Sequence, residues 1–323
     1  MPQFAANLSF LYTDLPFPER FAAAARDGFQ AVEYLFPYEH EAGMLARLLK
    51  ENGLQQALFN APPGNWEAGE RGLAALPGRE AEFLQGIERA LQYARTLHCP
   101  RIHVMAGLKP VNANTLACWQ QNLQKATTLA AQAGVQILIE PINSRDMPGY
   151  LLDSLDTAEA LLEHNPALKL QLDLYHLQII RGDLSVLLRR LIPTGRVGHI
   201  QIAGVPDRHE PDTGEVNYPY LFRLLDDLAQ PLADFLLGRR HAVAHCIGRI
   251  AHHCEDPLLA QLPEPVLVRQ RSKRWREVDL PVTGVNEIAQ RRPDRHAVGL
   301  GDRVGDRHQG HLERPQLQIT AQR

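Results

Sequence analysis

An α/β fold, a TIM (β/α)8-type barrel, is the class this sequence predicts, and three observations predict it. Short β-type runs alternate with longer stretches of helical spacing along the first 228 residues, the pattern that repeated βαβ units produce. Seven such units fit into that length at roughly 30 residues each, which suits a right-handed barrel better than an open doubly wound sheet. No Gly-x-Gly-x-x-Gly string opens a helix, so a dinucleotide-binding sheet has nothing specific behind it.

The units follow in order. Residues 4–12 read as a first strand, Phe21, Ala24 and Ala25 as a short helix face that Gly28 stops, and residues 30–34 as a second strand. Residues 40–52 are helical and end at Gly53, a natural left-handed C-terminal position, before a strand at 55–60. Phe83, Ile87, Ala90, Leu91, Ala94 and Leu97 fall at spacings of three and four, an amphipathic helix that leads into a strand at 100–105. Leu116, Trp119, Leu123, Ala126 and Ala130 repeat that face, and Gly134 ends it. Residues 135–139 are a short apolar run of the kind a buried parallel strand needs, with Glu140 at its C-terminal end. Asp156, three residues before Glu159, reads as a helix N-cap with its reciprocal partner, and residues 168–173 give a strand that ends on Asp173. A helix through Leu187 and Leu191 stops near Pro193-Thr194-Gly195, and residues 197–202 form a seventh strand carrying Gln201.

Composition sets the outer bounds. The chain has 323 residues, 45% hydrophobic and 22% charged, with net charge −3, which describes a soluble globular protein and gives no support to bulk-charge binding of nucleic acid. Cys99, Cys118, Cys246 and Cys254 are too scattered for a disulfide framework and fit a reducing, cytoplasmic setting. The N-terminus lacks the basic and apolar stretches of a signal peptide, and no apolar run approaches the roughly 20 residues needed to cross a bilayer. A seam lies at Leu228. Residues 1–228 hold 19 Lys+Arg against 26 Asp+Glu, net −7, whereas residues 229–323 hold 15 against 11, net +4, with Lys273 the only lysine. The first segment reads as the barrel. The second reads as an atypical Arg/Pro/His-rich tail, poorly ordered or produced by a shifted reading frame. Its His245-Cys246 and His252-His253-Cys254 cluster matches no common zinc spacing, and its basic run at 269–276 reads as a solvated charge run.

Glu140, Asp173 and Gln201 all sit at or near strand C-termini, the face on which barrel enzymes keep their active sites. Two carboxylates and an amide carbonyl suit a hard divalent cation, Mg²⁺ or Mn²⁺. The structural alternative is that both carboxylates are satisfied by backbone N–H groups or nearby helix starts, and position alone leaves the two readings open. His176, three residues after Asp173, is open in the same way between a structural hydrogen-bonding role and a place in the site mouth.

Several strings make the chain recognisable. Glu140-Pro141-Ile142-Asn143, Asp173-Leu174-Tyr175-His176, His199-Ile200-Gln201-Ile202-Ala203 and Glu210-Pro211-Asp212-Thr213-Gly214-Glu215-Val216-Asn217-Tyr218 resemble the hydroxypyruvate isomerase family. So do Asn7-Leu8-Ser9, Phe36-Pro37-Tyr38, Gly69-Glu70-Arg71-Gly72 and Pro77-Gly78-Arg79-Glu80, and agreement runs from about residue 4 to Leu228. That family belongs to the xylose-isomerase-like barrels and includes 2-oxo-tetronate isomerases. The resemblance implies a divalent-metal isomerase that interconverts hydroxypyruvate and tartronate semialdehyde, or a related 2-oxo acid and its isomer, through a metal-held enediolate. It places Glu140, Asp173 and Gln201 among the metal ligands, gives Glu140 a proton-transfer role as well, and sets His176 and Arg208 where relatives hold substrate oxygens. A small-molecule partner follows, with no nucleic acid or membrane partner and with a homo-oligomer compatible.

The same family carries an eighth strand of the type Gly-Trp-x-Gly-x-Glu-Tyr, whose glutamate is a fourth ligand and second proton carrier. This chain has no such string, and Leu237 stands roughly where that glutamate belongs. The alternative reading is therefore a catalytically impaired barrel that binds metal or substrate without turnover, with Asp234, Glu255 and Glu264 as the first candidates for a replacement ligand. A zinc endonuclease acting at abasic sites is the competing class, which the net −7 of residues 1–228 disfavours.

Overall fold

The computed structural model of the chain describes residues 3–108 and 112–233, the side chains of 229–233 excepted. Seven strands alternate with helices in chain order. They are β1 (Ala5–Asn7), α1 (Arg20–Arg26), β2 (Ala31–Tyr34), α2 (Ala42–Glu51), β3 (Gln55–Asn60), α3 (Glu80–Leu97), β4 (Arg101–His103), α4 (Ala113–Gln132), β5 (Gln136–Ile139), α5 (Leu155–His164), β6 (Lys169–Asp173), α6 (Leu174–Ile180), α7 (Leu184–Leu191), β7 (Val197–Gln201) and α8 (Tyr218–Ala233). Every neighbouring pair is parallel, and the sheet order is the chain order, β1 to β7.

That sheet is curled. Strands β2 and β7 lie five steps apart, which in a flat sheet would separate them by roughly 24 Å at about 4.8 Å per step. Instead Glu33 of β2 meets His199 of β7 at 2.7 Å across the interior. The strands thus wrap a shared axis, as a barrel requires, and the seven-unit prediction holds.

The core forms where helices lie on the outside of this sheet. Phe83, Ile87, Ala90, Leu91, Ala94 and Leu97 are all buried on α3, the face their spacing predicted, and Trp119, Leu123, Ala126 and Ala130 do the same on α4. Leu116 is the exception at 42% exposure, because it sits at the edge of the α4 stripe. The first strand is shorter than expected. Asn7 ends it by accepting from Ser9 N through its side chain and from Leu11 N through its carbonyl, so the chain turns before Tyr12, which has φ 59°. The cap of α5 is Ser154, not Asp156: Ser154 is extended and its hydroxyl accepts from Thr157 N, while Asp156 lies inside the first turn. Helix α8 carries the chain past Leu228 to Ala233. The expected loss of the eighth strand, the histidine and cysteine cluster and the basic run lie outside the described residues.

Candidate active site

The side chains that face into the barrel are polar where the strands end. Glu140 follows β5, Asp173 ends β6, His176 lies one turn into α6, and all three are buried. Each offers a ligand atom within 4.8 Å of the others. Asp173 divides its work. Its Oδ1 caps α6 by accepting from Tyr175 N at 2.9 Å, and its Oδ2 turns to the site, 3.6 Å from His176 Nε2 and 3.5 Å from Arg208 Nη2. The helix-start reading holds for one oxygen of this residue, and the other is left facing His176 and Arg208.

Gln201, at the end of β7, joins the group through Gln171. The Gln171 amide nitrogen donates to Glu140 Oε2 at 2.9 Å and to Gln201 Oε1 at 2.8 Å, so both oxygens share one donor. The strand register explains this: Asp173 pairs with Gln201 and Gln171 with His199, which puts alternate residues of β6 and β7 on the same inner face.

Arg208 comes from the loop after β7, and that loop is tightly built. Gly204 N and Arg208 N close hydrogen bonds to His209 O and Gly204 O at 2.8 Å each. A Cβ on Gly204 would stand 2.5 Å from Glu210 O, and Gly214 has φ +107° with Val205 O 2.2 Å from where a Cβ would be, so glycine is required at both. Arg208 itself holds φ 60°, a conformation that costs a non-glycine residue about 1 kcal/mol. Its guanidinium lies over the Tyr175 ring at 4.9 Å and bonds Asp146 Oδ2 at 3.3 Å, while Tyr175 OH donates to Asp146 Oδ1 at 3.1 Å.

The hydrogen-bond network assigns the His176 tautomer. Asp146 N donates to Asn143 Oδ1, which leaves the Asn143 amide nitrogen to donate to His176 Nδ1 at 2.7 Å. A neutral ring then carries its proton on Nε2. Burial, with Arg208 and His103 nearby, holds His176 well below the ordinary histidine range, so neutral is its state. Arg208 Nη2 stands 3.2 Å from the same Nε2. Two donors therefore face one spot.

Glu140 is pushed well above the usual carboxylate range, first by burial and then by the Asp173 and Glu33 carboxylates, with Arg208 opposing. A bound cation would offset that cost. The chemistry of the donors fits one: two carboxylate oxygens and an amide oxygen are what hard divalent cations take.

A second polar layer lies below, and the sequence reading missed it. Glu33 is wholly buried and accepts from Asn7 Nδ2 at 2.9 Å, Gln201 Nε2 at 2.7 Å and His199 Nε2 at 2.7 Å. His103, pushed down to about 3 mainly by burial, bonds Asn60 through Nδ1 at 3.2 Å and puts Nε2 3.8 Å from Glu140.

Comparison with known proteins agrees with this fold. A family model described as a xylose isomerase-like TIM barrel matches residues 21–231. The 2-oxo-tetronate isomerase of Cupriavidus necator is 58% identical over 233 residues, 71% of this chain and 89% of that protein. The hydroxypyruvate isomerase of Escherichia coli is 39% identical over 232 residues, 70% of this chain and 89% of that protein. Among solved structures, the crystal structure of an AP endonuclease, family 2, from Brucella melitensis superposes with a TM-score of 0.71 at 45% identity, covering 76% of this chain and 92% of that one.

Proposed function

The chain belongs to the xylose isomerase-like TIM barrel family, and from that membership and its buried strand-end carboxylates we propose a divalent-cation-dependent isomerase of small 2-oxo acids. The substrate class is hydroxypyruvate and tartronate semialdehyde, or a four-carbon 2-oxo-tetronate and its isomer. The protein is an enzyme, as its named isomerase relatives are. The observation that carries the reading is the convergence of the buried Glu140 and Asp173 carboxylates, with the His176 ring beside them, all within 4.8 Å.

Moving a carbonyl by one carbon requires removing a proton beside it and returning one to the neighbouring carbon. Glu140, Asp173 and Gln201 would hold Mg²⁺ or Mn²⁺, which supplies Lewis-acid stabilisation of the negative charge gained by adjacent substrate oxygens, worth several kcal/mol in general. Glu140 in its carboxylate form takes the carbon-bound proton and, as the acid, gives it back one carbon along. His176 Nε2–H and Arg208 Nη2 point at one position, where a substrate oxygen accepts from both and ends their donor-to-donor opposition. Arg208 also brings a guanidinium to within 3.5 Å of Asp173, so it balances charge and binds the substrate carboxylate. His176 thus serves as a donor to substrate rather than as a ligand.

The Brucella neighbour carries an endonuclease name, yet the net −7 of residues 1–228 repels a phosphate backbone. No described helix is long and apolar enough to cross a membrane. The reading is of a cytoplasmic enzyme with a small-molecule partner, able to form a homo-oligomer, with residues 1–228 as its barrel. The test uses the full chain with Mn²⁺ or Mg²⁺. Hydroxypyruvate is added and tartronate semialdehyde followed by its reduction, with a four-carbon 2-oxo acid as second substrate. Turnover that Glu140→Gln abolishes supports the proposal. Folded protein without turnover on either substrate supports the impaired alternative, and cleavage of an abasic duplex at physiological salt supports the nuclease.

A further inference from the structure

Among the buried groups that this mechanism leaves unused, Glu33 has the most specific geometry. It lies inside the barrel on β2, 0% exposed, and three side-chain nitrogens reach it at 2.7–2.9 Å. Their directions can be worked out. Ser9 N donates to Asn7 Oδ1 at 3.0 Å, so Asn7 has only its amide hydrogens left for Glu33 Oε1. The same Oε1 meets Gln201, and an oxygen already receiving Asn7 as a carboxylate can only accept again. The Gln201 nitrogen must face Glu33. Its Oε1 is thereby turned the other way, toward the Gln171 nitrogen that also touches Glu140.

We propose that Glu33 is a positioning residue that fixes which end of the Gln201 amide faces the strand-end site. An amide can present its carbonyl or its NH₂ group to the same space at almost equal steric cost, and an NH₂ group cannot hold a cation. Glu33 removes that choice. The proposal rests on the reading of Gln201 as a cation ligand given above, and names the residue that makes it one.

Position and charge make opposite demands here, and this separates the proposal from the simpler idea that Glu33 only adds negative potential. Glutamine at 33 keeps the reach of the side chain. Its carbonyl can accept from Asn7 and Gln201 while its NH₂ faces His199, whose Nδ1 has no hydrogen-bond partner among the described residues, so that ring is free to change tautomer and accept. Aspartate keeps the charge but withdraws the oxygens by one methylene, out of reach of at least one partner.

The experiment titrates Mn²⁺ alone into the full chain stripped with EDTA, followed by calorimetry, with circular dichroism and thermal unfolding to establish that each variant is folded. Glu33→Gln should bind within about threefold of wild type, and Glu33→Asp about 10- to 100-fold more weakly, the usual cost of losing a partner that orients a ligand. Glu33→Leu should be as weak as Glu33→Asp, and if it fails to fold, the order of the other two decides. Glu33→Asp binding at least as tightly as Glu33→Gln overturns the positioning role. Wild type that binds no Mn²⁺ overturns the cation reading beneath it, and the proposal with it.

Discussion

At the strand starts the barrel buries Arg101, 7% exposed, whose guanidinium donates to Ala57 O at 3.3 Å and feels the Glu33 carboxylate through space. At the strand ends it buries Glu140, Asp173 and His176 together. Both placements run against the desolvation cost of a charge. They differ in convergence: Arg101 lines a wide cavity of about 1170 Å³ with Phe4, Phe29, Lys50 and His98 and has the Glu33 charge at longer range, while the acidic groups point at one another. Volume is therefore a poor guide to chemistry in this barrel. Groups of like charge aimed at one point, where folding alone would separate them, are the better one.

The largest effect should separate the two ends by activity. Glu140→Gln keeps the shape and the Gln171 contact but removes the proton acceptor, and kcat should fall by about 10³-fold, within the usual span for a lost general base. Arg101→Met should leave kcat unchanged. Steady-state rates on hydroxypyruvate with Mn²⁺ measure both, and a drop in the Arg101 variant comparable to that of Glu140→Gln breaks the comparison.

Stability against pH sharpens it next. His103 is about 3 when folded and near 6.5 when unfolded, so the unfolded chain takes up the extra proton between those values. The contribution of His103 is full above pH 6.5 and lost as pH falls toward 3, at up to about 1.4 kcal/mol per unit. Glu140 runs the other way. Its folded value is raised, so its contribution is full below the unfolded carboxylate value and is lost as pH rises through the folded one. Urea unfolding in EDTA from pH 5 to 9 should show Glu140→Gln gaining on wild type as pH rises. Parallel curves would mean that Glu140 is not strained by its surroundings. Arg101 adds no slope in this range, since a guanidinium stays charged.

How much of this the sequence made legible depends on where a residue sits in its strand. Glu140, Asp173 and Gln201 stand at strand ends, where an apolar run stops, and the stop itself is visible. Glu33, Gln171 and His199 lie within strands, where a polar residue looks like the solvent half of an alternating pattern. Only the closing of the sheet shows that this half points inward, as the 2.7 Å contact between Glu33 and His199 demonstrates. Asn143 and Asp146, which orient His176 and Arg208 together with Tyr175 of α6, come from loop geometry that no periodicity encodes. The Ser154 cap was a closer miss. Two residues of the right chemistry stood two positions apart, and only the extended backbone at Ser154 chose between them.

The smallest effect tests how far the Glu33 charge offsets the burial of Arg101. Burial lowers its guanidinium below the ordinary arginine value, the signature of a cation that the fold tolerates at a cost. Methionine matches much of its length and apolar stem, gives up one long hydrogen bond to Ala57 O, and removes the desolvation penalty. Replacing a buried charge with an apolar side chain of similar volume is often neutral or stabilising, and here the gain should be about 1 kcal/mol at neutral pH. Chemical denaturation measures it. A loss of more than about 2 kcal/mol, the size expected when a bonded buried charge is broken out of a network, would show that the pull of Glu33 outweighs the burial cost of Arg101, and the two ends of the barrel would then differ in partner rather than in convergence.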